Sequence, residues 1–221
     1  MEYPNTYVVY DLETTGVDPS EDEAIEIGAL KVEDGKVVAS KSWILKPSVP
    51  IPAAASAIHG ITQEFVEKNG RDRYECWEEF VDFIGLNAMV PAWPIVGHNI
   101  VRFDNLFVAR AIKFIGFGLD GFEFIDTAGI YKGQKLNIAR EENETHHDYA
   151  LRVLEMKVYG LKYKLTGVYE ELGGSMEGIE AHRAEADVLM TNYVYRKLAK
   201  LDWEYVDTGM PPVAVGPNAV S

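Results

Sequence analysis

The spacing of hydrophobic positions changes along the chain, and each change marks an element. "YVVYDLETTG" (7–16) opens on four apolar residues in a row, the mark of a strand buried on both faces, and predicts a strand over 6–13. "AIEIGALKVE" (24–33) alternates in part and predicts a second strand. "KVVASKSWILKP" (36–47), after the turn "EDGK", predicts a third. Turns this short join antiparallel neighbours. Pro47 to Pro52 break the pattern. Residues 63–86 then predict a helix with Phe65, Trp77, Phe80, Val81 and Ile84 in the core. A short strand follows at 94–99, a helix at 103–116, and a strand end running into a helix at 122–131. Two further helices are predicted, at 161–172, stopped by Gly173 and Gly174, and at 183–201. Strands first, then helices alternating with strands, predict an α/β chain with helices packed on a mixed sheet. "AREENETHHDY" (139–149) is polar and predicts an exposed insertion; its neighbours His146 and His147 point different ways and suit a shared metal poorly. The Pro- and Gly-rich end, 207–221, predicts a loose tail.

Carboxylates interrupt this apolar pattern at informative places. Side chains alternate along a strand, so Asp11 and Glu13 share one face and Leu12 takes the other. They are either a solvated strand end or a pair offered to one cation. Asp104 heads a stripe of Phe107, Val108, Ala111, Ile112 and Ile115, so it leads the core-facing side of its helix. An N-cap would also place an Asp there. Asp187 lies on a stripe with Ala184, Val188, Thr191, Tyr195 and Leu198; its alternative is a local pair with Arg183. Four acids on three core-facing elements suit hard divalent cations, Mg²⁺ or Mn²⁺, and their charge matches two. Two such ions catalyse in-line displacement at phosphorus. His182 precedes Asp187 by five residues. From a loop before the helix it reaches the same centre as a general base.

Composition narrows the setting. A length of 221 residues suffices for one sizeable domain. The net charge of −14 argues against a protein that coats nucleic acid through basic stripes. It allows a small local site, where bound divalent cations reverse the sign of the potential. Cys76 is the only cysteine, so no intrachain disulfide forms, which fits a reducing compartment and a cytoplasmic protein. No apolar run approaches the length of a membrane span, and "MEYPNT" lacks the basic-then-apolar order of a signal peptide.

Three spaced motifs carry a resemblance. "DLETTG" (11–16), "NIVRFD" (99–104) and "HRAEAD" (182–187) resemble the D-x-E, N-x(2–3)-[FY]-D and H-x(4)-D motifs of the DEDDh-type, DnaQ-like 3′→5′ exonucleases. This is the family of the proofreading subunit of bacterial DNA polymerase III. "AIHGIT" (57–62) and "IDT" (125–127) resemble further hallmarks, and the likeness runs over about 6–200.

The resemblance implies a ribonuclease-H-like fold, a five-stranded mixed sheet whose first three strands are antiparallel, with helices on both faces. An exonuclease domain would span 1–204, followed by the tail 205–221. Asp11, Glu13 and Asp187 would hold one divalent cation. Asp11 would also contact a second, which Asp104 reaches directly or through water, and His182 would be the base. Leu12, Thr14, Thr15, Ile58, His59, Asn99 and Phe103 look like substrate contacts. Plainer roles exist: turn bonds for the threonines, a buried hydrogen bond for Asn99, core packing for Phe103. The implied activity releases nucleoside 5′-monophosphates from DNA 3′ ends, single-stranded ones first. Alternatives are trimming of RNA 3′ ends and a non-catalytic nucleic-acid adaptor. Arg102, Lys162, Lys164 and Arg183 are the basic candidates for upstream phosphates. No polymerase module is attached, so proofreading would need a polymerase or another replication protein as partner.

Overall fold

Five strands, β1 (Tyr7–Thr14), β2 (Ala24–Glu33), β3 (Lys36–Ile44), β4 (Ile95–Gly97) and β5 (Phe124–Asp126), form one mixed sheet in the order β3-β2-β1-β4-β5. The computed structural model describes residues 3–87, 92–177 and 182–201; the expected tail, 205–221, lies outside the described residues. β1, β2 and β3 are antiparallel, whereas β4 and β5 run parallel to β1 and to each other. The β2–β3 reversal places Asp34 and Gly35 at φ of 48° and 76°. Two left-handed residues in succession are what a two-residue hairpin turn needs.

β1 is central, which explains its apolar start. Val8, Tyr10 and Leu12 pack on one face with Trp77 and Phe80 of α3 (Arg73–Ile84) and with Phe107 and Val108 of α4 (Asp104–Lys113). Tyr7 and Val9 pack on the other with Ile130 of α5 (Thr127–Leu136), Val168 of α7 (Leu165–Glu171), and Val188, Tyr195 and Leu198 of α8 (Ala184–Ala199). Helices therefore cover both faces. β3 is an edge, and its exposed lysines, Lys36 and Lys41, discourage further strand pairing.

Three regions differ from the pattern-based expectation. The helix expected over 63–86 is two, α2 (Gln63–Asn69) and α3. Thr62 caps the first by accepting from the Phe65 N–H, and Asp72 caps the second by accepting from Tyr74 and Glu75. With a cap at each start, the chain gains more from two short helices than from one through Gly70. A further helix, α1 (Ala53–His59), follows the prolines. The polar segment 139–149 is not wholly an exposed insertion: α6 (His146–Glu155) begins within it, capped by Thr145, and His146 is buried, bonded to Glu123.

The sheet also sets where a site can form. β4 pairs only with Val8 and Val9 of β1, so the last residues of β1 run on without a neighbour on that side. A crevice beyond the carboxyl ends of parallel strands is where ligands bind in open α/β sheets. No helix among the described residues is long and apolar enough to cross a membrane.

Candidate active site

Asp11 and Glu13 leave β1 on the face covered by α8, and Leu12 points to the α3–α4 side. Asp104 arrives from the other direction. Phe103 occupies the N-cap position of α4 and makes no side-chain cap bond, so Asp104 is the first helical residue. Its Oδ1 instead accepts from the Leu12 N–H at 3.1 Å, a donor on the part of β1 beyond β4. Tyr10 Oη, donating to Asn105 Oδ1 at 2.5 Å, pins the same helix start to β1.

The loop that delivers Asp104 has its own anchor. Asp126, at the end of β5, accepts from the N–H groups of Asn99 (2.9 Å) and Val101 (3.2 Å) and also caps α5 through Ala128 and Gly129. Asn99 takes the left-handed conformation, φ 62°, which asparagine tolerates better than most residues. The hallmark "IDT" thus contains the side chain that holds the second motif in place.

Asp187 lies in the first turn of α8 and accepts from the His182 N–H at 3.3 Å. Glu26 of β2, paired in register with Glu13, anchors the entry to this helix. Its carboxylate accepts from Arg183 Nε (3.0 Å) and Nη2 (2.8 Å) and from the Ala184 N–H (3.1 Å). The Arg183 guanidinium therefore joins α8 to β2. Gly28, opposite Asp11, lets the helix come this close: a Cβ there would sit 2.4 Å from the Ala184 carbonyl carbon. Sequence reasoning missed Glu26 and Gly28. The only signal for either is the position of each opposite a carboxylate of β1, which requires the strand register.

Glu13, Asp104 and Asp187 are each at most 9 % exposed, and Asp11 is half-buried. Burial raises Glu13 to about 8, with Asp187 and Glu26 adding repulsion. It raises Asp104 to about 7, against the Asp104 and Leu12 backbone N–H groups, which stabilise the anion. Asp187 rises to about 6, again by burial first. Asp11 is held well above the usual carboxylate range by burial, then by Asp104, Asp187 and Glu13. Burial therefore works against the charged form of Asp187. Val188, Val194, Tyr195 and Leu198 of the same helix are nearly fully buried and contribute roughly 1.5–3 kcal/mol each, so the apolar stripe holds the acid in place.

Ligand atoms of Glu13, His182 and Asp187 all lie within 4.8 Å of one another. Asp11 and Asp104 lie outside that tight group, but Asp104 and Asp187 are close enough to Asp11 to raise its pKa. His182 is exposed, at the entry to α8, with φ 64°. Carboxylate oxygens in this number, destabilised as anions, are the donor set that hard divalent cations satisfy.

The other expected contacts are found in varied states. Thr14 Oγ1 donates to the Gly16 carbonyl, and Thr15 Oγ1 donates to Asp22 Oδ1 while accepting from the Glu23 N–H, so both hydroxyls hold the turn after β1. Ile58 is exposed. His59 is buried, and its Nδ1 accepts from the Ile61 N–H. Phe103 is half-buried, 5.0 Å from the Phe107 ring.

Residues 8–195 match the model of the RNase_T family, described as exonuclease. The chain belongs to this exonuclease family. Among its relatives, the PolC-type DNA polymerase III of Thermotoga petrophila is 36% identical over 89% of this chain and 12% of that protein. The chain thus spans about an eighth of the PolC-type relatives it matches. The DNA polymerase III subunit epsilon of Aquifex aeolicus is 29% identical over 90% of this chain and 82% of the subunit. Among solved structures, E. coli exonuclease I in complex with a dA16 oligonucleotide superimposes with a TM-score of 0.68 at 21% identity, over 89% of this chain and 41% of that one. The exonuclease fold of the family, ribonuclease-H-like, is therefore the fold of this chain, as the three motifs implied.

Proposed function

We propose that this chain is a divalent-metal-dependent 3′→5′ exonuclease that releases nucleoside 5′-monophosphates from DNA 3′ ends. One arrangement carries the reading: the buried carboxylates of Glu13 and Asp187 lie within 4.8 Å of His182, Glu13 shares β1 with Asp11, and Asp104 bonds the Leu12 N–H between those two. Asp11, Glu13, Asp104 and Asp187 would hold two ions, Mg²⁺ or Mn²⁺. Bound there, such ions activate water and stabilise the departing oxygen.

The remaining work falls to the chain itself. His182 accepts the proton of the attacking water on a ring nitrogen. The new P–O bond forms as the P–O3′ bond breaks; the departing 3′ oxygen takes a proton from solvent, and His182 returns its proton to solvent. Glu26 keeps His182 and Asp187 at the entry of α8, and Asp126 keeps Asn99, Phe103 and Asp104 against β1. Leu12, Thr14, Thr15, Ile58, His59, Asn99 and Phe103 frame the terminal nucleotide. The exonuclease unit spans 1–204 with 205–221 outside it, and the protein works in the cytoplasm. The PolC-type and epsilon relatives point to a replication polymerase as its partner.

Matched DNA and RNA oligonucleotides, incubated with Mg²⁺ or Mn²⁺ and resolved by chromatography, test the reaction. Nucleoside 5′-monophosphates should accumulate from the first turnover, faster from DNA. Faster release from RNA would move the assignment to RNA 3′ ends. Binding of 3′ ends without product would leave only an adaptor.

A further inference from the structure

Lys162 and Lys164, two of the basic candidates for upstream phosphates, belong to a larger concentration of positive charge. Residues 156–164, "MKVYGLKYK", join α6 to α7. Lys157, Lys162 and Lys164 are all exposed, and no ion pair among the described residues includes them. A chain of net charge −14 has little reason to gather three exposed lysines in eight residues. Tyr159 stands between them, 106 % exposed. A tyrosine wholly in water contributes nothing to the core and presents both ring faces to a ligand.

The two ends of this segment are fixed. Lys132 is buried; its Nζ donates to the carbonyls of Leu154 (3.0 Å) and Met156 (2.5 Å) and lies over the Tyr163 ring, 5.3 Å from its centre. Arg102 Nη1 also donates to the Leu154 carbonyl, at 3.2 Å. His98 bonds the Tyr163 carbonyl through Nε2 (2.7 Å) and Thr127 Oγ1 through Nδ1 (2.8 Å). His98 and Arg102 belong to the loop that carries Asn99 and Phe103 and ends at Asp104. The C-terminal end of the basic segment is therefore bonded, through the Tyr163 carbonyl and His98, to the loop that delivers a candidate metal ligand, and Arg102 of that loop bonds Leu154, two residues before the segment begins. Its tip, turned by Gly160 at φ 82°, projects into solvent.

We infer that residues 156–164, with Arg102, form the track along which a single strand leaves the active site. The lysines hold successive phosphates upstream of the 3′ end, and Tyr159 stacks on a base. Basic residues interleaved with an exposed aromatic ring are the means by which proteins hold single strands without reading sequence. The inference rests on the exonuclease reading for the position of the 3′ end. It explains how an acidic protein keeps hold of a polyanion: the grip is local and is tied through His98 and Arg102 to the loop that ends at Asp104.

The test is binding of the full chain to labelled oligothymidylates in Ca²⁺, followed by fluorescence anisotropy across a salt series. Replacing Lys157, Lys162 and Lys164 together by Gln should reduce the slope of log affinity against log salt by about 2, at roughly 0.7 per lost phosphate contact. Tyr159→Ala should weaken binding roughly five- to a hundredfold, and Tyr159→Trp should restore it. Both losses should shrink for a dinucleotide, which is too short to follow the track. Thermal melts matching the parent's establish that the surface variants are folded. Binding and salt slope equal to the parent's in all variants would overturn the track and leave the segment as a contact for an acidic protein. The predicted binding losses, in a chain that releases no nucleotide with Mg²⁺ or Mn²⁺, would instead overturn the exonuclease reading.

Discussion

Glu26→Gln is the sharpest probe of how the sheet positions α8. The wild-type carboxylate takes three N–H groups, two from Arg183 and one from Ala184, at 2.8–3.1 Å. An amide has one oxygen, so at least one donor meets the new NH₂ group, and the remaining bonds lose the anionic acceptor. A hydrogen bond to a charged group contributes about 1.5–3 kcal/mol and a neutral one about 1 kcal/mol. The Arg183 side chain is 30% exposed, so water recovers part of the loss. Glu26 also repels Glu13, but Arg183 beside it acts in the opposite sense. The net cost is about 2–3 kcal/mol. For a chain of this size each kcal/mol lowers the melting temperature by about 2–4 °C, so the variant should melt roughly 4–12 °C below the parent. Scanning calorimetry at pH 7 reads this directly. Arg183→Met in the same chain should return part of the loss, because it removes the mismatch between the guanidinium and the new amide. kcat should fall more than KM rises, since His182 and Asp187 lose their anchor. A Glu26→Gln protein melting within about 1 °C of the parent would refute this account of the helix entry.

Other predictions follow from the same geometry. Each site acid has a folded pKa above its unfolded value, so the fold takes up protons as pH falls through those folded values. In EDTA the melting temperature should therefore rise as pH drops from about 8.5 towards about 5, and Mg²⁺ should flatten the profile by replacing protons. A metal-free protein that gains stability with rising pH over that range contradicts the assignment. Gly28→Ala drives a Cβ into the Ala184 backbone and should cost about 1–3 kcal/mol, read as a lower urea midpoint. Asp126→Ala leaves four buried or half-buried N–H groups without their acceptor, so it should destabilise by at least about 3 kcal/mol and depress nuclease activity with it.

The sequence shows much of this fold because its elements are strongly patterned. β2 matches its predicted span, 24–33, because the turn "EDGK" bounds it, and α8 runs over Ala184–Ala199 against a prediction of 183–201, since it carries a long regular apolar stripe. The split of 63–86 was harder to see. Phe65 and the Trp77–Ile84 run fit one period, and only the caps at Thr62 and Asp72 reveal two helices. α1 is rich in alanine and largely exposed, so it has no apolar stripe to announce it. At the site, Asp11, Glu13, Asp104 and Asp187 stand out because charge on a core-facing stripe is anomalous. Glu26 is as deeply buried, yet it sits in a strand that alternates only in part, and its partner Arg183 is 157 residues away. Long-range pairs of this kind become visible only once strand register places β2 under the start of α8. Asp104 illustrates the same limit, since its bond to the Leu12 N–H depends on β4 ending early.

One measurement bears most directly on the central claim. Single-stranded DNA labelled at its 5′ end is incubated with the parent chain and with Asp11→Ala and Asp187→Ala variants, in Mg²⁺, Mn²⁺ or EDTA. The account predicts a ladder shortening one nucleotide at a time from the 3′ end, present only with metal and lost in both variants. Internal cuts, activity that survives EDTA, or full activity in either variant would contradict it.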